Sequence, residues 1–133
     1  MELIVDTTVL IDLWRFGDKP EKIARLIDSV GDASLIVPWI TQAEFSRGAL
    51  YKGVSMEGID QFYRCFLLMA LDKPTMDRYC ELWGKMARKV RAPDYPDLWI
   101  AACASVRKTP LVTRNPKHFA AIPDLTIISY DLG

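Results

Sequence analysis

The sequence predicts an α/β fold in which a small parallel sheet of four or five strands is covered by helices on both faces. Short apolar runs, typical of strands buried on both faces, alternate along the chain with segments of helical periodicity. The strand-like runs lie about a dozen residues or more apart, which suits right-handed crossovers between parallel strands. The chain has 133 residues, and we predict a single domain over residues 1–133.

In the first half of the chain, apolar periodicity and helix-ending residues define the elements. Gly17 ends the first predicted helix, whereas Pro20 opens the second and Gly31 ends it. Gly53 and Gly58 bracket a loop before a further helix. In order, the elements are a strand at 3–5, a helix that follows Thr7 and Thr8 and stops at Gly17, a helix over 20–30, a strand at 35–37, a helix from Thr41 and a helix through Phe62.

The second half begins with a short strand within residues 66–71, followed by a helix after Pro74. An apolar stripe on that helix is predicted to face the core or a dimer partner, and comprises Met76, Tyr79, Cys80, Trp83, Met86, Ala87 and Val90. A proline-rich turn at 92–96 ends it. Residues 97–104 are apolar nearly all round, which indicates a central helix. A strand at 111–113, a short helix begun by Asn115 and Pro116, and a strand at 125–129 complete the chain.

Composition argues against several classes of protein. The longest stretch without charge, residues 33–43, is far shorter than the roughly 20 apolar residues of a membrane span. No basic segment precedes the first strand, so we expect no signal peptide. The three cysteines share no C-x-x-C spacing, and their apolar surroundings predict buried free thiols in a reducing compartment. These features favour a cytoplasmic protein.

The net charge of zero conceals a strong asymmetry along the chain. Residues 85–117 carry eight basic and two acidic side chains, a net charge of +6. The remaining residues carry nine basic and fifteen acidic side chains, a net charge of −6. A basic segment of this kind suggests a polyanionic partner. Solvated helix faces are the alternative explanation.

Three acids and one amide follow strands or open helices at places that should converge. Asp6 closes the first strand, Glu44 lies seven residues after the second, Asp97 opens the central helix, and Asn115 follows the fourth strand. Ligands of parallel sheets bind beyond the carboxyl ends of the strands. Gathered carboxylates repel one another unless a cation intervenes, and oxygen ligands favour Mg²⁺ or Mn²⁺. The pattern therefore predicts a metal site of the kind that metal-dependent nucleases use.

Each of the four residues also has a purely structural interpretation. Asp6 could cap the helix after it, and Asn115 before Pro116 could do the same. Thr41 and Glu44 fit the capping-box pattern S/T-x-x-E. Asp97 is well placed to interact with the helix dipole. Only the coincidence of all four at one sheet edge favours a shared site.

These segments resemble the four motifs of PIN-domain ribonucleases, and most of all the VapC toxins of VapBC toxin–antitoxin systems. The residues concerned are LIVDTTVL around Asp6, QAEF around Glu44, DLWIAACA from Asp97, and LVTRNPKHF around Asn115. The resemblance spans essentially the whole chain. It implies a PIN-like three-layer fold and endoribonuclease activity dependent on Mg²⁺ or Mn²⁺. Asp6, Glu44 and Asp97 would then be the metal ligands.

The resemblance also assigns roles to the residues around the acids. Asn115 would complete the catalytic set, but many relatives have an acid there, so whether one or two ions bind stays open. From their own chemistry, the Thr7 and Thr113 hydroxyls near the strand ends could position water or the ligand carboxylates, and Arg114 could contact a phosphate of the substrate. His118 could act as a general base or simply lie near the mouth of the site. Asp94 is a spare acid in the proline-rich turn.

The resulting hypothesis is a cytoplasmic endoribonuclease toxin that hydrolyses RNA phosphodiester bonds with a metal-activated water. Its partners would be the RNA substrate, a VapB-type antitoxin and a second copy in a homodimer. The alternative is a catalytically weak or inactive PIN-like module that binds RNA or protein, which Asn115 would suit. A phosphatase of the haloacid dehalogenase type fits less well, because Thr8 stands where its second acid would be.

Overall fold

A computed structural model describes residues 1–88 and 95–133 of the chain. Its centre is a five-stranded parallel sheet. The strands are β1 (Glu2–Val5), β2 (Ser34–Pro38), β3 (Leu67–Met69), β4 (Leu111–Thr113) and β5 (Ile127–Ser129). Their order in the sheet is β3-β2-β1-β4-β5.

Six α-helices cover this sheet in two layers. They are α1 (Thr7–Phe16), α2 (Ala24–Val30), α3 (Trp39–Tyr51), α4 (Met56–Tyr63), α5 (Lys73–Met86) and α6 (Tyr95–Arg107). Alternate side chains of a strand face opposite sides, so Ile4 packs with α5 and α6 while Leu3 and Val5 pack with α1 to α4. The predicted parallel sheet with helices on both faces is confirmed.

The topology places β1 at the centre of the sheet. The strands that flank it are β2 on one side and β4 on the other, so the direction of winding reverses at β1. Val5, its last residue, is paired with Val112 of β4, which brings the next residues, Asp6 and Thr113, side by side. This reversal point at the carboxyl edge is where ligands bind in open parallel sheets.

Helix α6 is the buried centre of its layer, as the sequence predicts. All residues from Leu98 to Ala104 are buried. An aromatic cluster fixes its first turns against two other helices. Tyr79 of α5 stacks on Trp99 at 3.8 Å between ring centroids, and Trp39 of α3 meets Trp99 edge-on at 5.2 Å. Such ring pairs contribute about 0.5–1.5 kcal/mol beyond their buried area.

Several helices begin or end at residues other than those that the sequence predicts. The helix expected over 20–30 is split into a 3₁₀ turn, Pro20–Ile23, and α2. Gly58 lies inside α4, where its N–H donates to the Ser55 hydroxyl, and does not end a loop. Of the predicted turn at 92–96, the last two residues already belong to α6. Asp94 and Val90 lie outside the described residues.

The apolar stripe predicted on α5 is divided between the core, which Tyr79 and Met86 face, and the surface. The residues that face the core are Thr75, Tyr79, Leu82 and Met86. Most of the predicted stripe is exposed: Met76 by 42 % and Trp83 by 54 %, and Cys80 also faces outward. Cys65 is exposed too, so only Cys103 is the buried thiol that the sequence predicts. No helix in the described ranges is long and apolar enough to cross a membrane.

The packing of α5 predicts which of its side chains carry stability. Leu82 is fully buried, so Leu82→Ala should lower the free energy of unfolding by about 2–5 kcal/mol through lost burial and a cavity. Met76→Ala, on the exposed stripe of the same helix, should cost less than about 1 kcal/mol. Urea denaturation followed by circular dichroism measures both. Equal losses, or a larger loss for Met76→Ala, would contradict this packing of α5.

Candidate active site

Asp6 is a buried carboxylate held by neutral donors. It follows β1, is 4 % exposed and caps α1. Its Oδ1 accepts from the Thr8 hydroxyl at 2.6 Å and from the Val9 N–H at 3.4 Å. Its Oδ2 accepts from the Thr113 hydroxyl at 2.6 Å. The capping interpretation of Asp6 is therefore correct, and it coexists with a place at the carboxyl edge of the sheet.

Glu44 reaches the same edge from α3. The helix begins at Trp39, so Thr41 lies within it and donates to the Val5 carbonyl at 3.4 Å. Glu44 Oε1 accepts from the Thr7 hydroxyl at 2.7 Å. The capping-box interpretation of Thr41 and Glu44 is wrong, because no side chain caps α3. Thr41 instead ties the first turn of α3 to the end of β1.

Asp97 lies in the first turn of α6. The aromatic cluster around Trp99 holds this part of the helix in place. Its Oδ2 is 3.3 Å from Nδ1 of His118, and these two atoms form an ion pair when the imidazole is protonated. His118 is about half exposed on the 3₁₀ turn Pro116–Phe119. The structure thus places the chain's one histidine beside an acid of the site.

The segment after β4 brings Thr113, Arg114 and Asn115 to this edge. The Thr113 hydroxyl donates to Asp6 and accepts from the Asn115 N–H at 3.0 Å. The Asn115 side chain does not cap the 3₁₀ turn, so its capping interpretation is wrong. Arg114 turns its side chain to Asp12, whose Oδ2 accepts from Nε at 2.9 Å.

These elements enclose a cavity of about 210 Å³. It is lined by Asp6, Thr7, Thr8, Glu44, Pro96, Asp97, Ile100, Asn115 and His118. The four predicted catalytic residues therefore share one cavity, together with Thr7. Thr113 and Arg114 do not line it: Thr113 supports Asp6 from behind, and the Arg114 side chain points to Asp12.

Burial raises the pKa of Asp6 above its usual range, and the hydrogen bonds from Thr113 and Thr8 oppose that shift. None of the described residues that line the cavity is a lysine or an arginine. The negative charge of Asp6 is thus stabilised by hydroxyl and amide dipoles. A cation in the cavity would favour the ionised carboxylate.

The donor set fits a hard cation of the Mg²⁺ type. Asp6, Glu44 and Asp97 offer carboxylate oxygens to one cavity, and Asn115 offers an amide carbonyl. Within the described residues, no three acid, histidine or cysteine side chains lie close enough together to hold one metal ion between them. An open arrangement suits Mg²⁺, which keeps several waters and commonly uses one or two carboxylates together with substrate phosphates.

The described residues of the basic segment do not all lie around this site. Arg107 and Lys108 lie at the far end of α6, ten residues and roughly 15 Å from Asp97. Arg107 pairs there with Glu2. Lys117 is next to His118, which lines the cavity. Lys89 and Arg91, which belong to the same basic segment of the sequence, lie outside the described residues.

Comparison with known proteins assigns the family. The family model described as PIN domain matches residues 3–125. The chain belongs to the PIN domain family. Ribonuclease VapC1 of Methanocaldococcus jannaschii is 25 % identical over 130 residues, covering 98 % of this chain and 88 % of the relative. Ribonuclease VapC1 of Haemophilus influenzae is 29 % identical over 133 residues, covering 94 % of this chain and 95 % of the relative.

Solved structures with the same fold come from toxin–antitoxin complexes. VapBC-1 from nontypeable Haemophilus influenzae has a TM-score of 0.80 at 23 % identity and covers 97 % of this chain and 98 % of that chain. VapBC2 from Rickettsia felis, bound to a DNA fragment from its promoter, has a TM-score of 0.79 at 21 % identity. The match covers 98 % of this chain and 100 % of that chain. At these identities the likeness establishes the PIN fold.

Sequence reasoning missed two functional neighbours in this PIN domain. Thr8 lines the cavity and donates to Asp6, but it stands in a Thr-Thr pair with nothing to distinguish its role. Asp12 is fully buried although it is charged. The sequence does hold a sign that Asp12 is buried: it stands among the apolar residues of α1, one turn after Thr8.

The raised pKa of Asp6 predicts the pH dependence of stability in this PIN domain without divalent ions. The folded chain holds the Asp6 proton more tightly than the unfolded chain, so stability falls as pH rises from the ordinary pKa through the raised one. At pH 7 the buried charge therefore costs stability. At pH 7 in chelator, Asp6→Asn should raise the urea concentration at which half of the protein is unfolded. Below the ordinary pKa of an aspartate, the variant should be no more stable than the unmodified chain.

The matched control is Asp28→Asn, which removes an exposed charge from α2 and should leave the midpoint nearly unchanged at every pH. Excess Mn²⁺ should reverse the order of Asp6→Asn and the unmodified chain, because a ligand of the native state stabilises only the protein that binds it. A lower midpoint for Asp6→Asn at pH 7 in chelator would show that the buried charge is not a cost.

Proposed function

We propose that this single-domain chain, residues 1–133, is a Mg²⁺- or Mn²⁺-dependent endoribonuclease and the toxin of a type II toxin–antitoxin system. The observation that carries the proposal is one cavity lined by Asp6, Glu44, Asp97 and Asn115 at the carboxyl edge of a PIN-domain sheet. The relatives named Ribonuclease VapC1, which cover nearly the whole chain, support an RNA substrate.

Asp6, Glu44 and Asp97 are the residues that would hold the ion. When bound, Mg²⁺ or Mn²⁺ would supply an activated water and neutralise charge on the phosphodiester. Thr8 and Thr113 hold the Asp6 carboxylate, and Thr7 holds that of Glu44. Asn115 presents a neutral amide to the cavity and can position water or a phosphate oxygen.

The proposed partners follow from the same relatives and from the surface. The VapBC complexes with this fold support a VapB-type antitoxin as the inhibitor. The exposed apolar stripe on α5, which includes Met76 and Trp83, supports a homodimer. Exposed Cys65 and Cys80 thiols suit a reducing compartment, so we propose that the protein works in the cytoplasm.

A catalytically weak or inactive RNA- or protein-binding PIN module is the second candidate. It is favoured by the neutral Asn115 in the cavity and by the finding that, among the described residues, no three acid, histidine or cysteine side chains are grouped to hold a metal ion. Metal binding separates the two functions. Calorimetric titration with Mn²⁺ should give saturable binding to an enzyme, whereas a non-catalytic module has no need of the ion.

Cleavage of RNA by the purified chain tests the enzymatic proposal. Asp6→Asn should lower the Mn²⁺-dependent cleavage rate by more than about 100-fold, since losing residues that merely support metal ligands already costs about 10–100-fold. Chelator should abolish cleavage and excess Mn²⁺ should restore it. Asp28→Asn is the control and should cleave normally. Full activity of Asp6→Asn, or full activity in chelator, would refute the mechanism.

Growth of cells that express the chain tests the toxin role. Induction of the unmodified chain without its antitoxin should arrest growth, whereas Asp97→Asn, which keeps the shape of the side chain and removes a ligand charge, should permit it. Immunoblotting checks that both proteins accumulate to the same level. Normal growth with abundant, nuclease-active protein would separate the ribonuclease activity from a toxin function.

A further inference from the structure

An ion pair between buried Asp12 and partly exposed Arg114 lies behind the cavity, and neither residue lines it. Asp12 of α1 is fully buried, and its Oδ2 accepts from Arg114 Nε at 2.9 Å and from the Tyr130 hydroxyl at 2.6 Å. Its Oδ1 is buried without a hydrogen-bond partner among the described residues. A buried carboxylate of this kind is costly, and removing its cationic partner is strongly destabilising.

Arg114 is tied to α1 at two points. Its guanidinium binds Asp12, and its backbone N–H donates to the Thr8 hydroxyl at 3.2 Å. Thr8 and Asp12 are four residues apart, so they lie on the same face of the helix. The segment after β4 is therefore fixed along α1 over a full turn.

Both hydroxyls that hold Asp6 depend on this segment. The Thr113 hydroxyl, adjacent in sequence to Arg114, donates to Oδ2. The Thr8 hydroxyl donates to Oδ1 and accepts from the Arg114 N–H, so that amide fixes the direction in which the hydroxyl points. Asn115, on the other side of Arg114, lines the cavity and donates its N–H to Thr113.

We propose that Arg114, held by Asp12, is a positioning residue that sets the orientation of the Asp6 carboxylate for the ion, and that its side chain does not contact RNA. The Asp12–Arg114 pair fixes the segment, the segment fixes the Thr8 and Thr113 hydroxyls, and these fix Asp6. This inference rests on the proposed function, since it concerns the ion that Asp6 would bind.

Metal affinity measured by calorimetry, together with kcat and KM for RNA cleavage, tests the inference. The main variant is Asp12→Asn with Arg114→Met, because removing Arg114 alone would leave a buried charge. Its Mn²⁺ affinity should fall about 10–100-fold, the usual cost of losing a residue that supports a ligand. Its kcat should fall and its KM should stay unchanged.

Arg114→Lys keeps the charge opposite Asp12 but loses the planar Nε donor. It should fold even where the double variant does not, and its Mn²⁺ affinity should fall by a smaller factor. Arg78→Met is the control: Arg78 is also an ion-paired arginine, largely buried and bound to the exposed Glu81, but it lies on α5 and does not line the cavity. It should lower stability without changing metal affinity or kcat.

Two results would overturn the inference. One is unchanged Mn²⁺ affinity in both Arg114 variants while the unmodified chain binds Mn²⁺ and cleaves RNA. The other is a raised KM with unchanged Mn²⁺ affinity and kcat, which would make Arg114 an RNA contact. If the unmodified chain itself bound no Mn²⁺, the proposed function would fail first, and the inference with it.

Discussion

The negative charge of Asp6, buried at the end of the central strand, is the constraint on which the site depends. Burial penalises the ionised carboxyl and raises its pKa. The fold offsets part of that cost with two hydroxyl donors and a helix N-terminus. A buried charge in this position weakens the metal-free fold, and a cation bound as we propose would offset that cost; such conflicts between stability and function are typical of active sites.

Sheet topology explains why distant residues surround that charge. β1 lies between β2 and β4, so the segments that follow these strands converge on one edge. Glu44 arrives from the helix after β2, and Asn115 from the turn after β4. Asp97 comes from α6, whose buried small residues let it pack closely against the sheet. Convergence is thus a property of the strand order, and it needs no closeness in sequence.

The same reasoning explains which predictions from sequence succeeded. Parallel strands and the gathering of Asp6, Glu44, Asp97 and Asn115 depend on apolar runs and on the polar residues that come after them, and both are readable from the chain. The stripe on α5 lies only partly in the core: Met76 and Trp83 are exposed, whereas Thr75, which is less apolar than its neighbour Met76, is buried. Hydropathy alone cannot identify which of two neighbouring helix faces packs against the sheet.

Interactions among polar side chains were harder to predict, because they depend on three-dimensional pairing. Thr41 and Glu44 fit a capping box, yet each found a partner on β1 or α1 instead. The α3 helix starts two residues earlier than Thr41, since Pro38 ends the strand and Trp39 already packs against Trp99. Tertiary contacts therefore decided against the capping box, which the local sequence taken alone favoured.

The distribution of donors at the site separates two buried carboxylates that lie close in sequence. Asp12 receives the cationic guanidinium of Arg114, while Asp6 receives hydroxyl and amide donors, all of them neutral. Had Arg114 turned to Asp6, the pair would have neutralised each other and weakened the attraction of the cavity for a cation. Directing the arginine to Asp12 keeps the segment rigid and leaves the charge of Asp6 available. In the proposed function, the fold thereby uses one carboxylate for structure and leaves the other for a cation.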